Sequence, residues 1–195
     1  MNPPDPQFMH VTGIRTGHRI ALPPQGDGTA VLALHGWGAP GLMWQPAKRL
    51  SPLGYRVYAP DLPGFGQTEP PPQAWSIRDY VNFVLAYMDA NSIDRAHLIG
   101  HSFGGRLGLV LGADHSDRVL KMALADSAGV PSRSPVTTRA RLSLYKSVRD
   151  TLYKVGAKNA ANSLREWYVK RYGSADYQNA GALRETFVRV VNEDL

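Results

Sequence analysis

Ser102 stands in the stretch Gly100-His101-Ser102-Phe103-Gly104-Gly105, which follows the apolar run Leu98-Ile99 and opens into residues with helical spacing. A serine hydroxyl is a poor nucleophile until a sharp strand-to-helix turn exposes it and a base takes its proton. Gly100 and Gly104 flank the turn where side chains would collide with the chain or with a neighbouring strand. Gly104, Gly108 and Gly112 then recur every four residues and clear one stripe of the helix for close packing. A second group, His35-Gly36-Trp37-Gly38, follows the apolar run Ala30–Leu34. Acyl transfer needs two backbone N–H groups aimed at the developing oxyanion, one from the residue after the nucleophile and one from a glycine-rich loop. Phe103 and Trp37 occupy those two places. The structural alternatives are an ordinary helix N-cap for Ser102 and a plain glycine-rich turn for residues 35–38.

The base is the missing part. The one histidine after Ser102 is His115, thirteen residues on, and a helix rising ~1.5 Å per residue carries it on the order of 18 Å away. His101 adjoins Ser102, so the turn points the two side chains apart. His35 precedes the glycine loop, His97 begins a buried strand as a satisfied core histidine, and His10 and His18 belong to an N-terminal hairpin. None is a credible partner. For an acid, the sequence offers Asp126 at the end of the run Leu120–Ala125, although "ADSAG" also reads as a structural turn. There is no cysteine, which excludes thiolate chemistry and cysteine-ligated metals. No cofactor or metal is expected.

The elements that must carry these residues alternate. Phe8–Ile14 and His18–Leu22 read as a hairpin turning at Arg15-Thr16-Gly17, followed by a turn at "PPQGDG". The runs 30–36, 55–61, 96–102 and 120–127 are short, apolar and closed by turn residues. Between them lie segments of helical periodicity, notably Ser76–Ala90 and Phe103–Ala113. Strands apolar nearly throughout, alternating with helices, imply an α/β domain with a mostly parallel sheet covered by helices on both faces. After "PSRSP" the pattern turns wholly helical. Leu142, Tyr145, Val148 and Leu152 fall on one helix face, and Leu183, Phe187, Val190 and Val191 on another. The expected organisation is a core over residues 1–130 and a helical lid over 131–195.

The 195 residues, 43% hydrophobic and 19% charged, suit one globular domain or most of one. No apolar stretch approaches the ~18 residues of a membrane span, and the N-terminus lacks a basic flank followed by an apolar run. A soluble, cytoplasmic protein without a membrane partner is expected. The net charge of +6 lies wholly beyond residue 130, spread as single charges at helical spacing with no tight cluster interleaved with stacking aromatics. That pattern argues against a nucleic-acid partner.

"LHGWG", "YAPDLPGFGQT" and "LIGHSFGG", in that order, resemble the α/β-hydrolase superfamily, in its branch of lid-bearing serine hydrolases such as esterases, lactonases and C–C bond hydrolases. The resemblance implies a nucleophile at Ser102, an oxyanion hole from Trp37 and Phe103, and supporting roles for His35, Gly36, Gly38, Gly100, His101 and Gly104. It implies a structural loop at Asp61–Thr68, and a small ester-like substrate. Relatives that open epoxides or displace halide use an aspartate at the elbow, so a serine points to carbonyl chemistry. In that family the acid and the histidine follow the lid. The chain therefore reads as an N-terminal portion with the last strands absent, inactive by itself, and completed by a missing C-terminal segment or a complementing chain. The competing reading is a non-catalytic small-molecule-binding or partner-dependent module on the same fold.

Overall fold

A computed structural model describes residues 6–25, 27–129, 136–172 and 174–193. Six strands, β1 (Gln7–Val11), β2 (Ile14–Ala21), β3 (Thr29–Leu34), β4 (Tyr55–Pro60), β5 (Ala96–His101) and β6 (Val119–Ala125), form one sheet in the order β1-β2-β4-β3-β5-β6. β4, β3, β5 and β6 run parallel to one another, while β2 joins β4 antiparallel and β1 joins β2 antiparallel.

The hairpin turns earlier than the spacing suggests. Two Thr-Gly pairs compete, and the structure uses Thr12-Gly13, with φ of 50° and 83°, as the two-residue loop whose twist suits adjoining strands. Arg15, Thr16 and Gly17 lie inside β2, opposite His10, Met9 and Phe8. Gly17 serves close approach instead: a Cβ there would sit 2.8 Å from that of Gln67.

β3 shows how the core divides. Its Ala30, Leu32 and Leu34 join Leu98 and Tyr58 in the main apolar cluster, with helix α1 (Ile77–Ala90) and helix α2 (Phe103–Asp114) packed on it. The alternation of strand side chains sends Val31 and Ala33 to the opposite face. On that face a 3₁₀ helix, Gly41–Leu53, shares a small recess with Val57 and Ala59 through Trp44 and Lys48. Pro46 and Pro52 lie inside this segment. They deny it regular α-helical bonding and mask any amphipathic signature in the sequence.

α1 starts at a reciprocal capping box between Ser76 and Asp79, which satisfies orphan amides at the helix start. Its Ile77, Tyr80, Val81, Val84, Tyr87 and Met88 are buried at three-to-four spacing, the stripe expected of a helix lying on a sheet.

The chain divides into two compact units, one of residues 1–130 with 182–195 and one of residues 131–181. The second contains α3 (Val136–Lys154), α4 (Lys158–Tyr172) and the short α5 (Ala175–Gln178). On α3, Leu142 is exposed rather than inward, and Leu144 shares a groove with Tyr145 and Val148.

The expected single helical segment over 131–195 thus parts near residue 181. Helix α6 (Arg184–Asn192) belongs with the sheet. Val190 is buried in the main cluster, while Val191 faces solvent. The Trp75 amide donates to Thr186 Oγ1 at 3.2 Å, and the Glu193 carboxylate accepts from the Ile77 amide at 2.9 Å. Arg106 donates to the Glu193 carbonyl.

Candidate active site

β5 delivers Ser102 to the sheet top in a backbone conformation that few residues adopt. Its φ is 49° and ψ −108°, outside the allowed basins for a side-chain-bearing residue. Hydrogen bonds pin the turn from three sides. The Ser102 amide donates to the Ala125 carbonyl at 3.1 Å, and the Ser102 carbonyl accepts from Arg106 and Ala128 at 3.0 Å each. Glycine is required beside it. A Cβ on Gly100 would lie 2.8 Å from the Gly104 carbonyl, and one on Gly104 would lie 2.2 Å from the carbonyl of Leu34 at the end of β3. Ser102 is half-buried, and its side chain does not cap α2, so the hydroxyl is free of the N-cap role weighed above.

The glycine loop after β3 meets this turn. A Cβ on Gly36 would lie 3.4 Å from Ser102 Cβ and 2.8 Å from His101 Nδ1. Gly38, at φ 73°, lets the backbone reverse just after Trp37. The Gly104 amide donates back to the His35 carbonyl at 3.0 Å, tying loop to elbow. Among the described residues, neither the Trp37 amide nor the Phe103 amide has an acceptor. The rings of these two residues touch edge to face, with centroids 5.4 Å apart. Phe65 and Phe187 pack on the same indole at 4.9 and 5.0 Å. This aromatic group draws residues 37, 65, 103 and 187 into one apolar wall at the sheet top. Neither spacing nor period brings them together in the sequence, because two loops, the start of α2 and α6 each supply one.

His35 holds the loop from beneath. It is wholly buried, its Nε2 accepts the Leu62 amide at 2.8 Å, and its Nδ1 donates to the Gly36 carbonyl at 2.8 Å. Burial lowers its pKa to about 4 against smaller opposing effects from the Gly36 bond and Asp61. Both ring nitrogens are engaged in the neutral tautomer, so His35 has no lone pair to offer as a base. Asp61 organises the adjoining loop. Fully buried, its carboxylate accepts the amides of Gly41 at 2.5 Å and Gln67 at 2.8 Å and pairs with Arg19 at 3.4 Å.

None of the remaining candidates hydrogen-bonds the Ser102 hydroxyl, although Ala125 and Ala128, on either side of Asp126, bond its backbone. His101 is half-buried, with Nδ1 sheltered and unpartnered. His97 is half-buried against the Tyr55 ring rather than a satisfied core histidine. It is His18 that fills that place, buried with Nδ1 2.9 Å from the Tyr87 hydroxyl. His115 lies past the far end of α2. Asp126 sits directly after β6 at φ 47°, exposed, without a hydrogen bond to any described residue. No histidine among the described residues hydrogen-bonds the Ser102 hydroxyl. No three His, Asp or Glu side chains among them converge as a metal would require, and no helix among them is long and apolar enough to cross a membrane.

Comparison with known proteins agrees with this geometry. Over 121 residues the chain is 37% identical to a 2-hydroxymuconate semialdehyde hydrolase of Pseudomonas sp. (strain CF600), covering 60% of this chain and 43% of that protein. It is 34% identical over 113 residues to epoxide hydrolase 2 of Siraitia grosvenorii, covering 56% of this chain and 36% of that one. The chain thus spans less than half the length of these relatives. Among solved structures, the enol-lactonase of Burkholderia xenovorans LB400 superposes with a TM-score of 0.66 at 23% identity, over 97% of this chain and 75% of that one, a likeness of fold. The alpha/beta hydrolase fold family matches residues 29–194, and with the elbow, the glycine loop and the strand order already described, the chain belongs to that family.

Proposed function

We propose that this chain carries the nucleophile and the oxyanion-binding loop of a serine hydrolase acting on an ester or related carbonyl compound. The observation that carries the reading is the backbone of Ser102, held at φ 49° and ψ −108° against the Gly36-Trp37-Gly38 loop. Strain of this kind persists only where surrounding structure enforces it, and it clusters at functional sites. In the reaction, Ser102 Oγ attacks the carbonyl carbon while its proton passes to a base. The carbonyl oxygen becomes an oxyanion received by the amides of Trp37 and Phe103. Collapse expels the alcohol or carbanion leaving group, which takes up a proton, and water releases the acyl group. The aromatic wall excludes bulk water and strengthens the two amide contacts.

A relative named as an epoxide hydrolase does not redirect this reading. Opening an epoxide through a covalent ester needs a carboxylate nucleophile, and position 102 carries a hydroxyl. The base is absent from the described site, so the reading assigns it to a polypeptide segment or chain that completes the site. By itself the 195-residue chain should turn over p-nitrophenyl acetate slowly, since a site without its base keeps only the contribution of oxyanion hole and binding.

The test adds imidazole as a surrogate base. After subtraction of imidazole's own catalysis, ester turnover should rise with wild-type chain and stay flat with Ser102→Ala. Equal rates in the two would remove Ser102 from the chemistry. Vigorous turnover without imidazole, lost in Ser102→Ala, would show that the chain holds a base of its own. The unpartnered serine hydroxyl also favours a second reading, a binding module without chemistry. Saturable ligand binding, with no Ser102-dependent rescue, would support it.

A further inference from the structure

The groove between α3 and α4 has no part in the chemistry above. Leu144, Tyr145 and Val148 of α3 face Leu164, Trp167 and Tyr168 of α4 across a concavity of about 240 Å³. Its walls are apolar, and its rim is open: Leu144 is 67% and Trp167 56% exposed. Tyr145 and Tyr168 stack in its floor with centroids 3.9 Å apart. Isolated exposed apolar residues need no explanation, but a contiguous set rimming a concavity marks a binding surface.

Charge distinguishes one end of it. Arg141 lines the groove, and its guanidinium lies 3.9 Å over the Tyr172 ring, while that of Arg171 lies 5.3 Å from the same ring. Among the described residues neither pairs with a carboxylate. The one nearby acid of α3, Asp150, is taken by Arg149 at 2.7 Å. A guanidinium stacked by its face keeps its in-plane N–H donors outward, the geometry that grips a carboxylate in a fork. The surrounding unit, residues 131–181, holds 10 Lys+Arg against 3 Asp+Glu, a field that draws anions toward it.

We propose that this groove binds a small amphiphilic carboxylate, its apolar chain or ring between α3 and α4 and its head group on Arg141 and Arg171. The volume falls below the ~300–1,000 Å³ typical of drug-sized ligands, which sets the ligand at a medium-length chain or a single substituted ring. The inference is independent of the role given to Ser102.

The experiment titrates the 195-residue chain with octanoate by calorimetry, with octanol, acetate and phosphatidylglycerol vesicles as parallel probes. Octanoate should bind saturably at one site, octanol about tenfold or more weaker for want of the bond to a charged partner, and acetate likewise weaker for want of the buried apolar chain. The double variant Arg141→Gln/Arg171→Gln changes two exposed side chains, and its circular dichroism should match wild type. It should lower octanoate affinity to that of octanol. Ser102→Ala should leave binding unchanged. The proposal is overturned if octanoate does not saturate, if the double variant binds it as wild type does, or if Ser102→Ala abolishes binding. Binding to vesicles alone would make the face a lipid-docking surface, and octanoate-independent dimerisation lost in the double variant would make it an interface between copies. Either result replaces the proposal.

Discussion

The strained serine and the buried histidine beside it make opposite demands on the folded state. Ser102 at φ 49° stores strain of about 1–3 kcal/mol, which glycine would relieve and alanine would not. Ser102→Gly should therefore unfold at higher urea than Ser102→Ala, by about 1 kcal/mol after the extra chain entropy of glycine. Equal midpoints would mean that the strain relieved only matches the extra chain entropy of glycine, and a lower midpoint for Ser102→Gly would mean the turn is unstrained. His35 acts through pH. Its folded pKa of about 4 lies below the ordinary 6.5, so the unfolded chain binds more protons between those values and stability rises with pH across the window. The contribution is fully present above pH 6.5 and lost as pH falls toward 4, roughly 3 kcal/mol in all. His18, lowered chiefly by burial, adds in the same direction. Urea titrations at pH 7 and pH 5 should show about 2 kcal/mol of this loss in wild type and a shallower one in His35→Gln, measured from that variant's own lower baseline. At this scale Ser102, Gly100 and Gly104 were legible, because an elbow needs those residue types at those spacings. The double engagement of His35 was not, since its partners Leu62 and Gly36 are backbone groups that any sequence carries.

The elements were legible where periodicity was undiluted. β3 to β6, α1 and α2 fall within a residue or two of their apolar runs, because an apolar run closed by turn residues, or a helix lying on a sheet, marks its own bounds. The 3₁₀ helix Gly41–Leu53 escaped for want of such a period, and the hairpin turn was misplaced because two Thr-Gly pairs satisfy the same local chemistry. Contacts distant in sequence decide between them: Gly17 fits beside Gln67, its amide donates to Thr68 Oγ1 and its carbonyl accepts from Asp61. α2 offers a sharper test of how its glycine stripe works. A methyl on Gly104 would meet a backbone carbonyl at 2.2 Å, whereas one on Gly108 would meet only Leu124 Cδ2 at 3.1 Å. Gly104→Ala should cost about 3 kcal/mol or more through overpacking against immovable backbone. Gly108→Ala should fall within about 1 kcal/mol of wild type, as helix propensity offsets a small side-chain shift. Thermal unfolding of the two variants separates a glycine required for close approach from one merely tolerated. Equal losses would mean that the whole stripe, rather than the elbow crossing, is tightly packed.

Across the whole molecule, apolar burial fades from β3 to β6. β3 is buried over Ala30–Leu34, whereas β6 is buried nowhere along its length. β6 ends the strand order with β5 as its one neighbour, leaving a row of backbone donors and acceptors at the edge. Met122 and Leu124 approach Gly112 and Gly108 of α2, so alternation sends Ala123 to the opposite face, where it is exposed. Long edges with apolar neighbours pair with other chains unless a charge or bulge intervenes. Lys121 is the single charge within β6. The 195-residue chain should thus self-associate with rising concentration through this edge. Ala123→Lys, which adds a second charge on an exposed face without removing a core contact, should shift light scattering toward the monomer while leaving the urea midpoint within about 0.5 kcal/mol. If scattering is unchanged, association uses another surface, and the groove variant Arg141→Gln/Arg171→Gln is the one to examine next. If Ala123→Lys lowers stability instead, the face opposite α2 is covered in solution, and the polypeptide that covers it becomes the first candidate to complete the site proposed around Ser102.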